Sequence, residues 1–324
     1  MTAVRLIAGA MLTLAPLGQS VLADPIEEKN VIAGKAKLDS AKGYIFVSGT
    51  ERQFGTFLRV PDDDTRAAWQ KDWDKAFTKA QKRYASALAQ WQWDGLRQII
   101  SRAARISLIE AQPGLPDMVF TANAGMVRGN VVVLSRFRAP ERRREEPFFR
   151  HWFERNGYTI APWPESVYFE GAGDALFDRG GNLLWSGWGY RSDFAAARLL
   201  GEVFDCASIP LRLVDPRFYH LDTCLCPLAG GWLLYYPPAF DAASVDAIAR
   251  RVPIEKRIAV SEADALQFAC NAVDLDGRVI MNGASEALQT RLRAAGFTPL
   301  LTPLTEFLKA GGTAKCLTLK LREA

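Results

Sequence analysis

Five short polar clusters hold the residues of this chain that could carry out covalent chemistry. Phe120-Thr121-Ala122-Asn123 brings an amide, and Phe169-Glu170-Gly171-Ala172-Gly173-Asp174 brings two carboxylates. Tyr219-His220-Leu221-Asp222-Thr223 brings an imidazole and a carboxylate. Phe268-Ala269-Cys270-Asn271 brings a thiol and an amide, and Gly311-Gly312-Thr313-Ala314-Lys315-Cys316 a second thiol. A thiol, an imidazole and a carboxylate are the parts of a nucleophilic site. The thiolate attacks, an imidazolium lowers the thiol pKa and moves protons, and the carboxylate orients the ring. Taken singly the residues say little. An isolated Cys316 reads as an inert buried thiol, His220 as a structural histidine and Glu170 as a turn residue. Only a fold that gathers them makes a site.

A metal centre is the competing reading. His220, Cys224 and Cys226 form H-x3-C-x-C, but a second cysteine pair at suitable spacing is missing. The chain has two histidines, His151 and His220, and five cysteines, an odd number without the spacing of a small disulfide scaffold. No metal site and no disulfide framework is expected.

The clusters must be positioned by something, and their spacing says what. Steps from Asn123 to Glu170, His220, Cys270 and Cys316 are 47, 50, 50 and 46 residues. A recurring interval of that size marks a structural array. Each of the first four clusters leads into a strand-turn-strand, with turns at Gly129-Asn130, Gly180-Gly181, Gly230-Gly231 and Asp276-Gly277. Helix patterns follow over Glu145 to Asn156, Ser192 to Leu200, Ser244 to Arg251 and Ser285 to Ala295. The last three open with serine, a favoured N-cap. Each unit is thus strand, strand, helix, strand. Five units around an axis predict an α/β fold, a five-bladed propeller with the polar clusters at its centre.

These motifs, with Pro116-Asp117-Met118-Val119-Phe120 and Glu306-Phe307-Leu308-Lys309-Ala310, resemble the guanidino-modifying (pentein) superfamily of arginine deiminases, dimethylarginine dimethylaminohydrolases and amidinotransferases. The resemblance runs from about Gln92 to Leu321 and is nearest to the arginine dihydrolase branch. It implies the five-bladed α/β propeller. It implies Cys316 as nucleophile, His220 as general acid and then base, and Glu170 as its carboxylate partner. Asp222 would hold guanidinium nitrogens, Arg142 and Arg191 the substrate α-carboxylate, and Asp117 would shape the pocket or serve a turn. Solvated surface is the other reading of the two arginines. Asn123 stands where deiminases commonly place Asp. A neutral amide can face either a guanidinium or a ureido group, which fits hydrolysis of arginine through to ornithine without cofactor. A deiminase or a dimethylarginine dimethylaminohydrolase is the alternative, and a non-catalytic binder of guanidino compounds a third. The Asn-Pro-Trp signature that opens this branch is absent, so the first blade is expected to be altered, rebuilt from Gly43 to Val60, or incomplete.

The rest of the chain bounds the answer. Hydrophobic residues are 49% of the 324 and charged residues 23%, which excludes global disorder. A net charge of +4, spread along the chain, gives no basic face for nucleic acid. Met1 to Ala23 reads as a signal peptide, with an ordinary buried N-terminal element as the other reading: Arg5, an apolar run of helical character from Leu6 to Leu17, and Val21-Leu22-Ala23 before Asp24. That run, at roughly 12 residues, is shorter than the ~20 a membrane span needs. The expected organisation is a leader over 1–23, a divergent segment over 24–90 and a catalytic domain over 91–324. The product would be periplasmic or secreted if the leader is cut, and cytoplasmic otherwise. In the divergent segment, Gly43 to Val47 and Thr56 to Val60 predict strands, and Asp62 to about Ala104 a helix with a packing stripe at Trp69, Trp73, Ala76 and Ala80.

Overall fold

Short apolar stretches punctuated by turn residues build five three-stranded sheets of one pattern. In each, a first strand pairs antiparallel with a middle strand, and the middle strand pairs parallel with a third. The first four sheets are Gly125–Arg128, Val131–Leu134 and Thr159–Ile160; Ala175–Phe177, Leu183–Trp188 and Ala207–Arg212; Leu225–Leu228, Trp232–Tyr235 and Arg257–Ala259; and Val273–Leu275, Arg278–Met281 and Thr298–Leu301. This is a computed structural model, which describes residues 4–9 and 86–322, the former by backbone alone. Contacts divide the chain into residues 1–12 with 92–324, and residues 13–91. Of the latter, residues 86–91 are described, and they are helical.

Turn chemistry and crossovers explain the repeat. The antiparallel pairs close through tight turns; at one of them Asp276 and Gly277 both take positive φ, 51° and 77°, as a two-residue hairpin of matching twist demands. The parallel pairs need a long crossover, which a helix supplies. Those helices are Glu146–Arg155, Phe194–Phe204, Ala242–Arg251 and Glu286–Ala294. They bury Phe149 and Phe153, then Leu200 and Phe204, Ile248, and Leu288 with Leu292. Each such side chain contributes about 1.5–3 kcal/mol relative to exposure.

The serine caps need correction. Ser285 does cap its helix, accepting from Leu288 N at 3.2 Å. Asp241 caps the third, accepting from Ser244 N at 2.9 Å, and Asp193 stands at the N-cap of the second. A hydroxyl is only one of several N-cap acceptors, and aspartate competes equally well.

The fifth sheet joins the two chain ends. Thr318–Arg322 pairs antiparallel with Val4–Gly9, which pairs parallel with Ala104–Ile109. The middle strand of this sheet is Val4–Gly9, inside the expected leader. Cutting after Ala23 would remove it. A short apolar run does not declare by its pattern whether it is helix or strand. Gly43 to Val60, the stripe from Trp69 to Ala80 and the residues around Ala23 lie outside the described residues. Among the described residues no helix is long and apolar enough to cross a membrane.

The first strands of all five sheets line one cavity, so they share an axis. The polar clusters sit immediately before these strands, at one common end. Three of them are single 3-10 turns, Thr121–Ala124, Gly171–Gly173 and Leu221–Thr223.

Candidate active site

The loop carrying the thiol is held by one amide. Asn271 Oδ1 accepts from Thr313 N (2.9 Å), Thr313 Oγ1 (2.9 Å) and Cys316 N (3.2 Å). Its Nδ2 donates to Asp222 O at 3.0 Å and faces Cys316 Sγ at 3.1 Å. The Cys316 thiol, 3% exposed, donates to Asp222 Oδ2 at 3.4 Å. Gly312 makes room for this: a Cβ there would stand 2.6 Å from Phe120 Cε1 and 2.8 Å from Cys316 Cβ. Burial, and then the Asp222 charge, push the thiol pKa well up. With the site empty the sulfur is a neutral thiol.

The imidazole has the opposite setting. His220 Nε2 lies 2.8 Å from Glu170 Oε2, and the Glu170 side chain is fully buried. Glu170 Oε1 accepts from Arg138 N at 3.0 Å, Arg191 Nη1 stands 3.5 Å from Oε2, and the Glu170 N–H donates to Ser192 Oγ at 3.0 Å. Burial alone would raise the Glu170 pKa. The hydrogen bond and charge of His220, then the charges of Arg191 and Arg142, overcome it and hold the carboxyl at about 2. For His220 burial acts downward, but Asp174 and Glu170 prevail and the pKa rises. The pair is a buried carboxylate–imidazolium.

Behind it lies a brace. Asp174 accepts from Leu221 N (3.1 Å) and from Ser192 Oγ (2.7 Å). It therefore ties the Glu170 turn to the His220 turn. Burial raises its pKa to about 6.

Among the described residues no hydrogen bond joins His220 to Cys316. Asp222, two positions after His220 and touching the sulfur, links the two halves. The Asp222 carboxyl is buried completely, and burial raises its pKa despite the charges of Lys315 and His220. A buried acidic group beside a thiol, whose ionised form burial disfavours, is a place that a planar cation can stabilise.

Asn123 donates Nδ2–H to Glu170 O at 2.7 Å and accepts from Arg142 Nη1 at 2.9 Å. Arg142 is buried rather than solvated, paired with Glu145 at 2.7 Å and donating to Asp117 O at 3.0 Å, which leaves it one N–H on Nη1. Arg191 is 27% exposed and stacks 4.9 Å over the Tyr219 ring. Asp117 serves the turn through its carbonyl, which also accepts from Phe120 N at 2.9 Å. Gly173 is required: a Cβ would overlap Asn123 Nδ2 and come within 3.5 Å of His220 Cγ.

Sequence alone gave no role to Asp174, Arg138 or Lys315, and gave Ser192 a helix N-cap rather than its place between Glu170 and Asp174. Asp174 had a signal, its fixed place after the Gly-x-Gly turn; Arg138 acts through its backbone and had none. Cys224 and Cys226, the candidate zinc ligands, hydrogen-bond backbone carbonyls, Cys226 to Ala272 O at 3.4 Å. Among the described residues no group of three or more His, Cys, Asp or Glu could hold a metal ion.

A family model described as eukaryotic N,N dimethylarginine dimethylhydrolase matches residues 60–323. The chain is 57% identical over 232 residues to the bifunctional arginine dihydrolase/ornithine cyclodeaminase AgrE of Nostoc sp., covering 72% of this chain and 33% of that protein. It is 40% identical over 235 residues to the N(G),N(G)-dimethylarginine dimethylaminohydrolase of Mycobacterium tuberculosis, covering 72% and 76%. Among solved structures, the substrate-bound N-terminal domain of ArgZ, a cyanobacterial arginine dihydrolase, superposes with a TM-score of 0.73 at 43% identity, over 99% of this chain and 98% of that one. AgrE with L-arginine gives 0.71 at 56% identity, over 72% and 35%. The chain spans about a third of the length of the bifunctional relatives.

Proposed function

The chain belongs to the N,N-dimethylarginine dimethylhydrolase family, within the guanidino-modifying superfamily, and from that premise we propose that it is a cysteine hydrolase converting arginine to ornithine. The observation that carries this is the thiol of Cys316 held 3.4 Å from the buried carboxyl of Asp222, next to the Glu170–His220 ion pair. A guanidinium fits between those groups, bound by Asp222 and Asn123. Its α-carboxylate lies on Arg191 and the remaining N–H of Arg142, since a guanidinium fork matches a planar anion.

The chemistry proceeds from these protonation states. The incoming cation offsets the Asp222 charge that helps keep the thiol neutral, and the thiol ionises, its proton passing to solvent water. The thiolate forms a bond to the guanidinium carbon. The His220 imidazolium gives its proton to the departing nitrogen, ammonia leaves, and a thiouronium adduct remains. Neutral His220 then takes a proton from water, whose oxygen bonds to the same carbon, and the C–S bond breaks to release the ureido compound. A second round expels the second ammonia and leaves a thiocarbamate. Water releases a carbamate, which falls apart to ornithine and carbon dioxide. Arginine and two waters give ornithine, carbon dioxide and two ammonias. None of these steps draws on a cofactor.

Asn123 separates this reading from its neighbours. A second carboxylate there would favour only cations, whereas the amide accepts the neutral ureido intermediate for a second round. Incubation of the protein with arginine, followed by chromatography, tests the proposal. Ornithine supports it, citrulline alone makes the enzyme a deiminase, and neither product refutes it. The family description and the Mycobacterium relative favour one second reading, a dimethylarginine dimethylaminohydrolase, reported by dimethylamine released from the methylated substrate. Export is decided by the mature N-terminus: Asp24 places the enzyme in the periplasm or outside the cell, Met1 or Thr2 in the cytoplasm.

A further inference from the structure

A cavity of about 330 Å³ lies on the same axis, walled by the strands that lead away from the catalytic turns. Val127, Leu176, Leu225, Val273 and Leu319, one from each sheet's first strand, give it apolar sides. Its charged lining is Arg128, Arg179, Lys315, Lys320, Asp178 and Asp274. The two acids are answered within the protein: Arg179 pairs with Asp274 at 2.9 Å and Arg251 with Asp178 at 3.5 Å. Among the described residues Arg128 and Lys315 pair with neither acid of the lining, though the Lys315 charge also acts on Asp222 on the catalytic side. Arg128 donates to Phe204 O and Asn182 Oδ1, and Lys315 Nζ to Ala172 O at 3.2 Å, all neutral acceptors. The space therefore combines apolar walls with a surplus of positive charge. At ~30 Å³ per water it has room for on the order of ten waters, or for a short carbon chain with a charged head.

We propose that this cavity binds a small organic carboxylate, its head on Lys315 and its chain along the apolar walls, and that occupation slows the chemistry of Cys316. The regulatory half rests on Cys316 being the nucleophile of the hydrolase proposed above. Lys315 is the bridge. It lines the cavity and is bonded directly to Cys316 in the chain, and its charge favours both the ionised Asp222 and the thiolate. A carboxylate on Nζ cancels that charge, and the thiol becomes harder to ionise.

Hexanoate is the probe, with inorganic phosphate and hexylammonium beside it, titrated calorimetrically into the full chain. One hexanoate per chain is expected, with no hexylammonium bound. Phosphate binding as tightly as hexanoate would overturn the organic-carboxylate assignment, and no hexanoate binding at millimolar concentration would overturn the site. Lys315→Gln should abolish binding and Lys320→Gln weaken it with the fold retained by circular dichroism. Hexanoate binding unchanged in both would place it elsewhere and refute the proposal. Competition with arginine that persists when Lys315→Gln is added to Cys316→Ser would put hexanoate on Arg191 and refute it too. The second readout is the rate of iodoacetamide modification of the Cys316 peptide at fixed pH. Saturating hexanoate should lower it several-fold, up to roughly tenfold for one pH unit of thiol shift, and leave Lys315→Gln unaffected. An unchanged rate would overturn the coupling. These readouts need no turnover, so they stand or fall separately from the hydrolase assignment.

Discussion

Replacing Glu170 by Gln keeps the shape of the Glu170–His220 pair and removes its charge. The carboxyl is fully buried, and its pKa falls from 4.5 to about 2. A shift of that size corresponds to about 3 kcal/mol of stability at neutral pH, as an order of magnitude. The folded-state pKa lies below the unfolded one. The contribution is therefore complete above pH 4.5 and is lost as pH falls through 2. Urea unfolding of wild type and Glu170→Gln across that window gives the test. The stability difference between them should shrink by about 3 kcal/mol from pH 5 to pH 2. The variant also deprives His220 of a hydrogen bond and one of the charges that raise its pKa, Asp174 remaining, so the imidazolium is less favoured. Loss of the acid should lower arginine turnover by roughly 10²–10⁴-fold. A stability difference flat with pH, or turnover within about threefold of wild type, would refute the assignment of Glu170 and His220 as a working ion pair.

Other perturbations read separate parts of the site. Cys316→Ser should abolish turnover yet bind arginine, measured by calorimetry; retained turnover would remove Cys316 from the mechanism. Gly173→Ala forces a Cβ into Asn123 Nδ2 and should cost about 1–3 kcal/mol in denaturant unfolding, with turnover falling; an unchanged midpoint would contradict the close approach. Deletion of residues 1–9 takes the middle strand from the fifth sheet and should abolish the cooperative thermal transition. A transition identical to that of the full chain would show that this pairing contributes nothing. Burial and Asp222 hold the Cys316 thiol protonated, so iodoacetamide should modify the empty protein slowly at pH 7; immediate modification of the Cys316 peptide would contradict that.

The repeat was legible because every blade must solve the same problem alone. Four times the chain supplies a polar turn, a hairpin and a crossover helix, and four times the interval is close to fifty residues. That the candidate residues would gather was legible for the same reason, since matched positions in successive blades fall at the same end of the axis. The exceptions have local causes. Cys270 marked the fourth cluster by type, but it packs in the hydrophobic core while its neighbour Asn271 holds the Cys316 loop. Ser192 looked like a helix cap and instead passes a hydrogen bond from Glu170 to Asp174. Hydroxyls serve both purposes with the same geometry, and only the fold decides between them.

The fifth blade shows why a repeat fails at its ends. Its three strands come from residues 4–9, 104–109 and 318–322, so no single stretch of sequence carries the pattern. Closure by the two chain ends then has a chemical consequence. Cys316 sits two residues before the C-terminal strand, and that strand is paired along its length with Val4–Gly9. The distance of the Cys316 thiol from Asp222 therefore depends on a strand at the other end of the chain. Loosening that strand should show first as lost turnover, before the four continuous blades unfold, because a displacement of about 1 Å at a reacting atom can cost about 10²-fold in rate. Thermal inactivation preceding the circular-dichroism transition in a variant weakened between Val4 and Gly9 is the expected result, and coincident curves would argue that the blades and the site melt as one.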